Sequence, residues 1–135
     1  MSGLYLHIPF CRKRCTYCDF HFSTTFENYR TSLVQAIASE LILRARELDM
    51  PVQTIYFGGG TPSILNFSEL ELIFSTIRKH YQIVPDCEIT FEVNPEDINE
   101  ANLLYWKGLG INRLSIGLQT FSDEDLLWMN RAHHV

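Results

Sequence analysis

The feature that most constrains the fold is a regular alternation of short, β-branched and apolar runs with longer stretches of helical periodicity. Residues 4–8 read as a first strand. Residues 54–57 form a second, broken by Gly58-Gly59-Gly60-Thr61-Pro62. Residues 88–93 form a third, stopped by Asn94-Pro95, and residues 114–118 a fourth. Between them, Tyr29, Leu33, Ile37, Leu41, Ala45 and Leu48 recur at helical spacing up to Met50-Pro51. Leu70, Ile73, Phe74, Ile77 and Tyr81 line a second helical face. Thr24 with Glu27, and Ser68 with Glu71, have the spacing of capping boxes ahead of these two helices. A short helix over 101–107 ends at Gly108, and Ser122 is placed to cap a last one from Asp123. Strands and helices in this order join into a parallel sheet through right-handed crossovers. A closed barrel of such units takes roughly 250 residues, and the 135 here supply about half of one. The expectation is an α/β fold, the first half of a TIM-like partial barrel, as one incomplete domain over residues 1–135. It would leave one open parallel edge for a further segment to cover.

Apolar residues make up 46% of the chain, enough for a sizeable core and against global disorder. The leucine, isoleucine and aromatic stripes, with Trp106 and Trp128, are assigned to helix packing. Acids outnumber lysine and arginine by 16 to 11, a formal net charge of −5, which argues against a nucleic-acid partner. No apolar run has the length of a transmembrane span. Polar and charged residues follow Phe10 at once, so no signal-peptide pattern is present, and the expected compartment is the cytoplasm.

Three of the four cysteines fall within eight residues, as Cys11-x3-Cys15-x2-Cys18. A disulfide framework spreads its cysteines along the chain, so this clustering reads as a metal site. Three thiolates on one loop can ligate three irons of a [4Fe–4S] cluster and leave the fourth open to a non-protein ligand. The alternative is a zinc site on Cys11, Cys15, Cys18 and His21, since Cys3His is a structural zinc set. Cys87 stands alone before an apolar run and reads as a buried structural thiol.

Glycines at 58–60 permit close backbone approach, so their N–H and C=O groups can reach a ligand; taken alone the segment is a tight turn. Glu92 is expected at the C-terminal end of the third strand, Gln119 at the end of the fourth, and Tyr5 within the first. In α/β barrels the C-terminal strand ends bind ligands. The cysteine loop, the glycine loop, Glu92 and Gln119 all fall on that face. Glu92 as a helix cap and Gln119 as a loop stabiliser are the competing readings. His7 is expected to pack or hydrogen-bond within its strand, and His133 and His134 to form an exposed tail, with heme ligation the lesser alternative.

The cysteine triad followed by the glycine run resembles the radical SAM superfamily. In that superfamily S-adenosylmethionine (SAM) chelates the open iron, and an electron from the cluster cleaves it to a 5′-deoxyadenosyl radical. Leu4-Tyr5-Leu6-His7-Ile8-Pro9-Phe10-Cys11, Gly58-Gly59-Gly60-Thr61-Pro62-Ser63, Glu92-Val93-Asn94-Pro95 and Asn112-Arg113-Leu114-Ser115-Ile116-Gly117-Leu118-Gln119 together resemble the oxygen-independent coproporphyrinogen III oxidase family, over all 135 residues. The resemblance implies a radical SAM partial barrel, with Cys11, Cys15 and Cys18 on the cluster. It implies Tyr5 and Glu92 at the first SAM and Gly59, Gly60 and Thr61 lining the SAM sites. In the oxidase, the positions of Tyr17, Gln119 and Arg131 line a second SAM.

One departure matters. The oxidase has a further cysteine two residues after its triad, where this chain reads Cys18-Asp19-Phe20. That variant resembles the HemW-type branch, which is regarded as a heme chaperone. The resemblance then implies heme or a porphyrin as ligand, an electron donor and a heme-accepting protein. The enzyme alternative is oxidative decarboxylation of two propionates of coproporphyrinogen III to vinyl groups, giving protoporphyrinogen IX. A zinc-stabilised binding module is the third reading. The family's C-terminal part, longer than this chain, carries the rest of the barrel, so residues 1–135 alone are not expected to be active.

Overall fold

The computed structural model describes residues 2–135. Four strands, β1 (Gly3–Ile8), β2 (Val52–Gly59), β3 (Ile83–Val93) and β4 (Arg113–Ile116), are each followed by a helix: α1 (Arg30–Arg44), α2 (Phe67–His80), α3 (Glu100–Gly108) and α4 (Asp123–Trp128). The sheet is wholly parallel in the order β1-β2-β3-β4, as successive βα units dictate. This is the α/β architecture of a partial TIM-like barrel. β1 and β4 each have one neighbour, so two edges are open rather than the single one expected.

Strand alternation sorts the sheet into two faces. Leu6, Ile8, Ile55, Phe57, Ile89, Phe91 and Val93 are buried under the helices. Against them pack Val34 and Leu41 of α1 and Leu70, Ile73, Phe74 and Ile77 of α2. The Phe57 ring meets Phe74 at 5.2 Å and Phe91 at 5.6 Å. Trp106 of α3 closes this layer and is buried as expected, as is Cys87. The other face is the inner side of the barrel curve and is polar. One register row runs Tyr5, Tyr56, Thr90, Arg113, and the next pairs Glu92 with Ser115.

Several local expectations shift. Thr24 and Glu27 do not cap α1, which starts at Arg30 behind Tyr29 with no side-chain cap. Residues 23–29 are held to the end of β1 instead: Ser23 N donates to Pro9 O (2.8 Å), and the buried Phe26 ring lies 4.7 Å from Phe10. The box at α2 belongs to Asn66 and Glu69, two residues before the expected Ser68 and Glu71. Glu69 also receives a two-pronged Arg30 (2.7 and 2.6 Å), tying the starts of α1 and α2 together. Ser122 caps α4 as expected, through Asp125 N. Trp128 does not pack: α4 has only six residues, buries Leu126, and leaves Trp128 70% exposed. His133 is no exposed tail either. It is buried, with Nε2 3.2 Å from Leu118 O and Nδ1 3.7 Å from Glu96, while His134 is exposed.

Candidate functional site

The C-terminal ends of all four strands open on one side, and the loops there are fastened to one another by backbone bonds. Cys11 N donates to Ser23 O (3.0 Å), closing the base of the cysteine loop. The glycine run then docks on the end of β1. Gly60 N donates to Ile8 O (2.8 Å) and Thr61 N to Phe10 O (2.7 Å). Gly59 has φ 109°, the left-handed region that glycine alone enters at no cost. From the far side, the residues after α4 strap the cysteine loop: Thr16 N donates to Met129 O (3.3 Å) and Asn130 Nδ2 to Arg14 O (2.8 Å).

These loops enclose a cavity of about 230 Å³. Ten of the eleven residues singled out from the sequence line it: the three cysteines, Tyr17, Gly59, Gly60, Thr61, Glu92, Gln119 and Arg131. Tyr5 does not. It lies lower on the inner sheet face, with its hydroxyl 3.2 Å from His7 Nδ1 and its ring 6.0 Å from Tyr56. His7 in turn sets Nε2 3.0 Å from His21 O, as the expected hydrogen-bonding residue of β1. Gln119 lies three residues past the end of β4 with φ 70°, on the loop rather than at the strand tip.

The three cysteines are half-buried and unpaired. Thr61 Oγ1 donates to Cys11 Sγ and Arg131 Nη1 to Cys15 Sγ, both at 3.5 Å. Burial pushes the Cys11 thiol up, with the Thr61 hydroxyl working the other way. Burial likewise raises the Tyr17 phenol, helped by Cys15. Burial opposes the Arg131 charge, but its hydrogen bond to Cys15 and the neighbouring Tyr17, Cys15 and Glu96 outweigh it and hold it firmly protonated. Among the described residues, no three His, Cys, Asp or Glu side chains converge where a single metal ion would sit.

Glu92 is fixed from two sides. Tyr56 Oη donates to Oε1 (2.6 Å) and Gly59 N to Oε2 (3.2 Å). That hydrogen bond, with burial, raises the Tyr56 phenol above its ordinary range. Each carboxylate oxygen retains a lone pair for a ligand. The sequence reading missed Tyr56, Asn94 and Gly117. Tyr56 reaches Glu92 only through strand register. Asn94 had registered as a strand stop and within the Glu92-Val93-Asn94-Pro95 motif, with no role of its own.

Comparison with known proteins agrees with this architecture. The model of the radical SAM superfamily matches residues 5–135. A heme chaperone HemW of Synechocystis is 40% identical over 98% of this chain, and that of Escherichia coli K12 34% identical over 97%. This chain spans 33% and 35% of those relatives, about a third of their length. The solved structure of coproporphyrinogen III oxidase (HemN) from Escherichia coli, described as a radical SAM enzyme, superposes with a TM-score of 0.89 at 33% identity. That match covers 98% of this chain and 31% of the other. No helix among the described residues is long and apolar enough to cross a membrane. With a parallel half-barrel, a cysteine triad at its strand mouths and a family match through residue 135, the chain belongs to the radical SAM superfamily, on its HemW- and HemN-like side.

Proposed function

We propose that Cys11, Cys15 and Cys18 hold a [4Fe–4S] cluster whose open iron takes SAM, and that the full-length protein is a heme chaperone of the HemW kind. The observation that carries the first part is three half-buried thiols and no fourth around one cavity, beside a glycine loop and a fixed carboxylate. The donor set fits. Thiolates suit iron–sulfur clusters, and His21, the fourth ligand of the zinc reading, does not line the cavity but sets its ring 6.4 Å from that of His7. When bound, the cluster supplies one electron to SAM. The chain's own residues then have separable tasks. Gly60, free of a Cβ, docks against the Ile8 and Phe10 main chain, and Gly59 turns at positive φ beside the His7 ring, so that the backbone of both lines the cavity. Thr61 steadies the Cys11 sulfur. Glu92, oriented by Tyr56 and Gly59, accepts hydrogen bonds from the ligand. Tyr5 would meet SAM only where the ligand extends down the inner sheet face past Glu92. Tyr17, Gln119 and Arg131 would border a second SAM, if one binds.

Glu92→Ala tests the SAM assignment. Losing a charged hydrogen bond costs roughly 1.5–3 kcal/mol, so SAM affinity of cluster-loaded, full-length protein is expected to fall about ten- to a hundredfold, with iron content unchanged. An unaltered dissociation constant rejects the role. The same titration counts SAM per chain, and a stoichiometry of one, unmoved by Gln119→Ala, removes the second site.

The chaperone reading rests on Phe20, 70% exposed two residues after Cys18, and on relatives named HemW at up to 40% identity. The likeness to HemN favours the oxidase as the second reading. Heme, an electron donor and a heme-accepting protein are the partners the chaperone reading requires. The full-length protein, supplied with SAM and a reductant, is expected to bind heme and to leave coproporphyrinogen III unchanged. Decarboxylated product above background would move it to the enzyme branch.

A further inference from the structure

The polar groups behind the cysteines form one connected chain of donors. Arg131 Nη1 donates to Cys15 Sγ (3.5 Å), and Nη2 donates to Asn94 Oδ1 (3.0 Å) and Gly117 O (2.7 Å). The Asn94 amide continues the chain: Nδ2 donates to Thr61 Oγ1 (3.4 Å), and that hydroxyl donates to Cys11 Sγ (3.5 Å). The two ends of this amide are not interchangeable. The oxygen faces a cation and the nitrogen faces a hydroxyl whose proton is committed to sulfur. Asn94 is itself fixed from below. Its N–H donates to Ser63 Oγ (3.4 Å), Ser63 donates to the buried Asp97 carboxylate, and Arg12 of the cysteine loop pairs with the same carboxylate.

We propose that Asn94 is a positioning residue that aims two hydrogen-bond donors, the Thr61 hydroxyl and the Arg131 guanidinium, at two of the three cluster thiolates and thereby raises the cluster's reduction potential. The inference rests on the reading of Cys11, Cys15 and Cys18 as cluster ligands. One-electron reduction adds negative charge to the cluster and its sulfurs. A donor or cation facing those sulfurs stabilises the reduced form more than the oxidised one, and such outer partners are among the levers that set cluster potentials. A single side chain that serves both sulfurs makes their effects depend on one another.

The test is a redox titration, followed by electron paramagnetic resonance, of anaerobically reconstituted full-length protein, with iron and sulfide content measured alongside. Asn94→Ala is expected to take up a full cluster and to be harder to reduce. The reduced-to-oxidised ratio at a fixed poise should fall about tenfold, which for one electron is ~59 mV. Asn94→Asp keeps an acceptor for Arg131 but offers Thr61 an acceptor where it had a donor, so the hydroxyl turns from Cys11 and the potential falls again. Thr61→Val is close to isosteric and removes the Cys11 donor together with the acceptor of Asn94 Nδ2, leaving the Arg131 side of the chain in place. It decides the matter should Asn94→Ala load no cluster. A wild-type midpoint in a fully loaded Asn94→Ala, or in Thr61→Val, overturns the proposal. A wild-type protein that takes up no iron instead sinks the cluster reading beneath it.

Discussion

Serine at Cys11, Cys15 or Cys18 is expected to abolish the cluster in full-length protein, whereas serine at Cys87 leaves it intact. The first three side chains line one cavity at the strand mouths, and among the described residues no other thiol reaches it. A [4Fe–4S] cluster with three protein ligands has none to spare. Serine oxygen is a harder and more basic donor than thiolate, so loss of any one sulfur leaves a second iron without its soft ligand. Cys87 is 5% exposed under the helix layer, with its Sγ 3.7 Å from Glu88 O. A serine hydroxyl there inherits an acceptor, so the cost is one of packing and not of metal. The measurement is iron and acid-labile sulfide per chain after anaerobic reconstitution, with the visible absorption of the brown protein. Retention of the full complement by any of the three triad variants would remove that residue from the ligand set. Stoichiometric zinc with no iron in wild-type protein would replace the cluster reading altogether.

The order and type of the eight main elements were legible because hydrophobic periodicity is strong in each strand and in α2. The cysteine and glycine loops were legible because strand ends in an α/β sheet must face one side. What was lost is what depends on contacts distant in sequence. The start of α1 followed the burial of Phe26 against Phe10, which overrode the local capping signal at Thr24. The Arg131 position was the hardest to foresee. A helix continued from Asp123 to Arg131 would carry the guanidinium away from the strand mouth. Instead α4 ends at Trp128, Asn130 adopts φ 57°, and Arg131 N returns to Leu126 O at 2.9 Å. That turn, anchored by Asn130 on Arg14 O, brings Arg131 back to Cys15. No pattern in the residues between 123 and 131 encodes a contact with residue 15. The Tyr56–Glu92 pair is similar: Glu92 was legible as a strand-end ligand residue, but Tyr56 reads as an ordinary strand position until β2 and β3 are set side by side.

Gly60→Ala is expected to destabilise the full-length protein and damage cluster uptake together, because the glycine sits against main chain and not against side chains. A Cβ at Gly60 would lie 2.6 Å from Phe10 O and 2.9 Å from both Ile8 O and Phe10 N. No rotamer change can relieve such contacts, so the two loops must part. Parting them strains the bonds from Gly60 N to Ile8 O and from Thr61 N to Phe10 O. Overpacking of this sort costs about 1–3 kcal/mol, and each weakened bond adds roughly 0.5–1.5 kcal/mol. The sum is a large share of the ~5–15 kcal/mol that holds a domain folded. The displacement also reaches the site directly. Phe10 precedes Cys11 in the chain, and Thr61, the donor to Cys11 Sγ, follows Gly60. Thermal unfolding of the full-length protein should therefore shift down by roughly 5 °C or more, at a few degrees per kcal/mol, with iron content falling in step. Gly108→Ala is the matched control. A Cβ there meets no atom within 4 Å at the last residue of α3, and alanine is the better helix former, so its melting temperature should hold or rise. If Gly60→Ala melts with the wild type and loads as much iron, the close docking of the glycine loop on β1 is not what holds the cysteine loop in place.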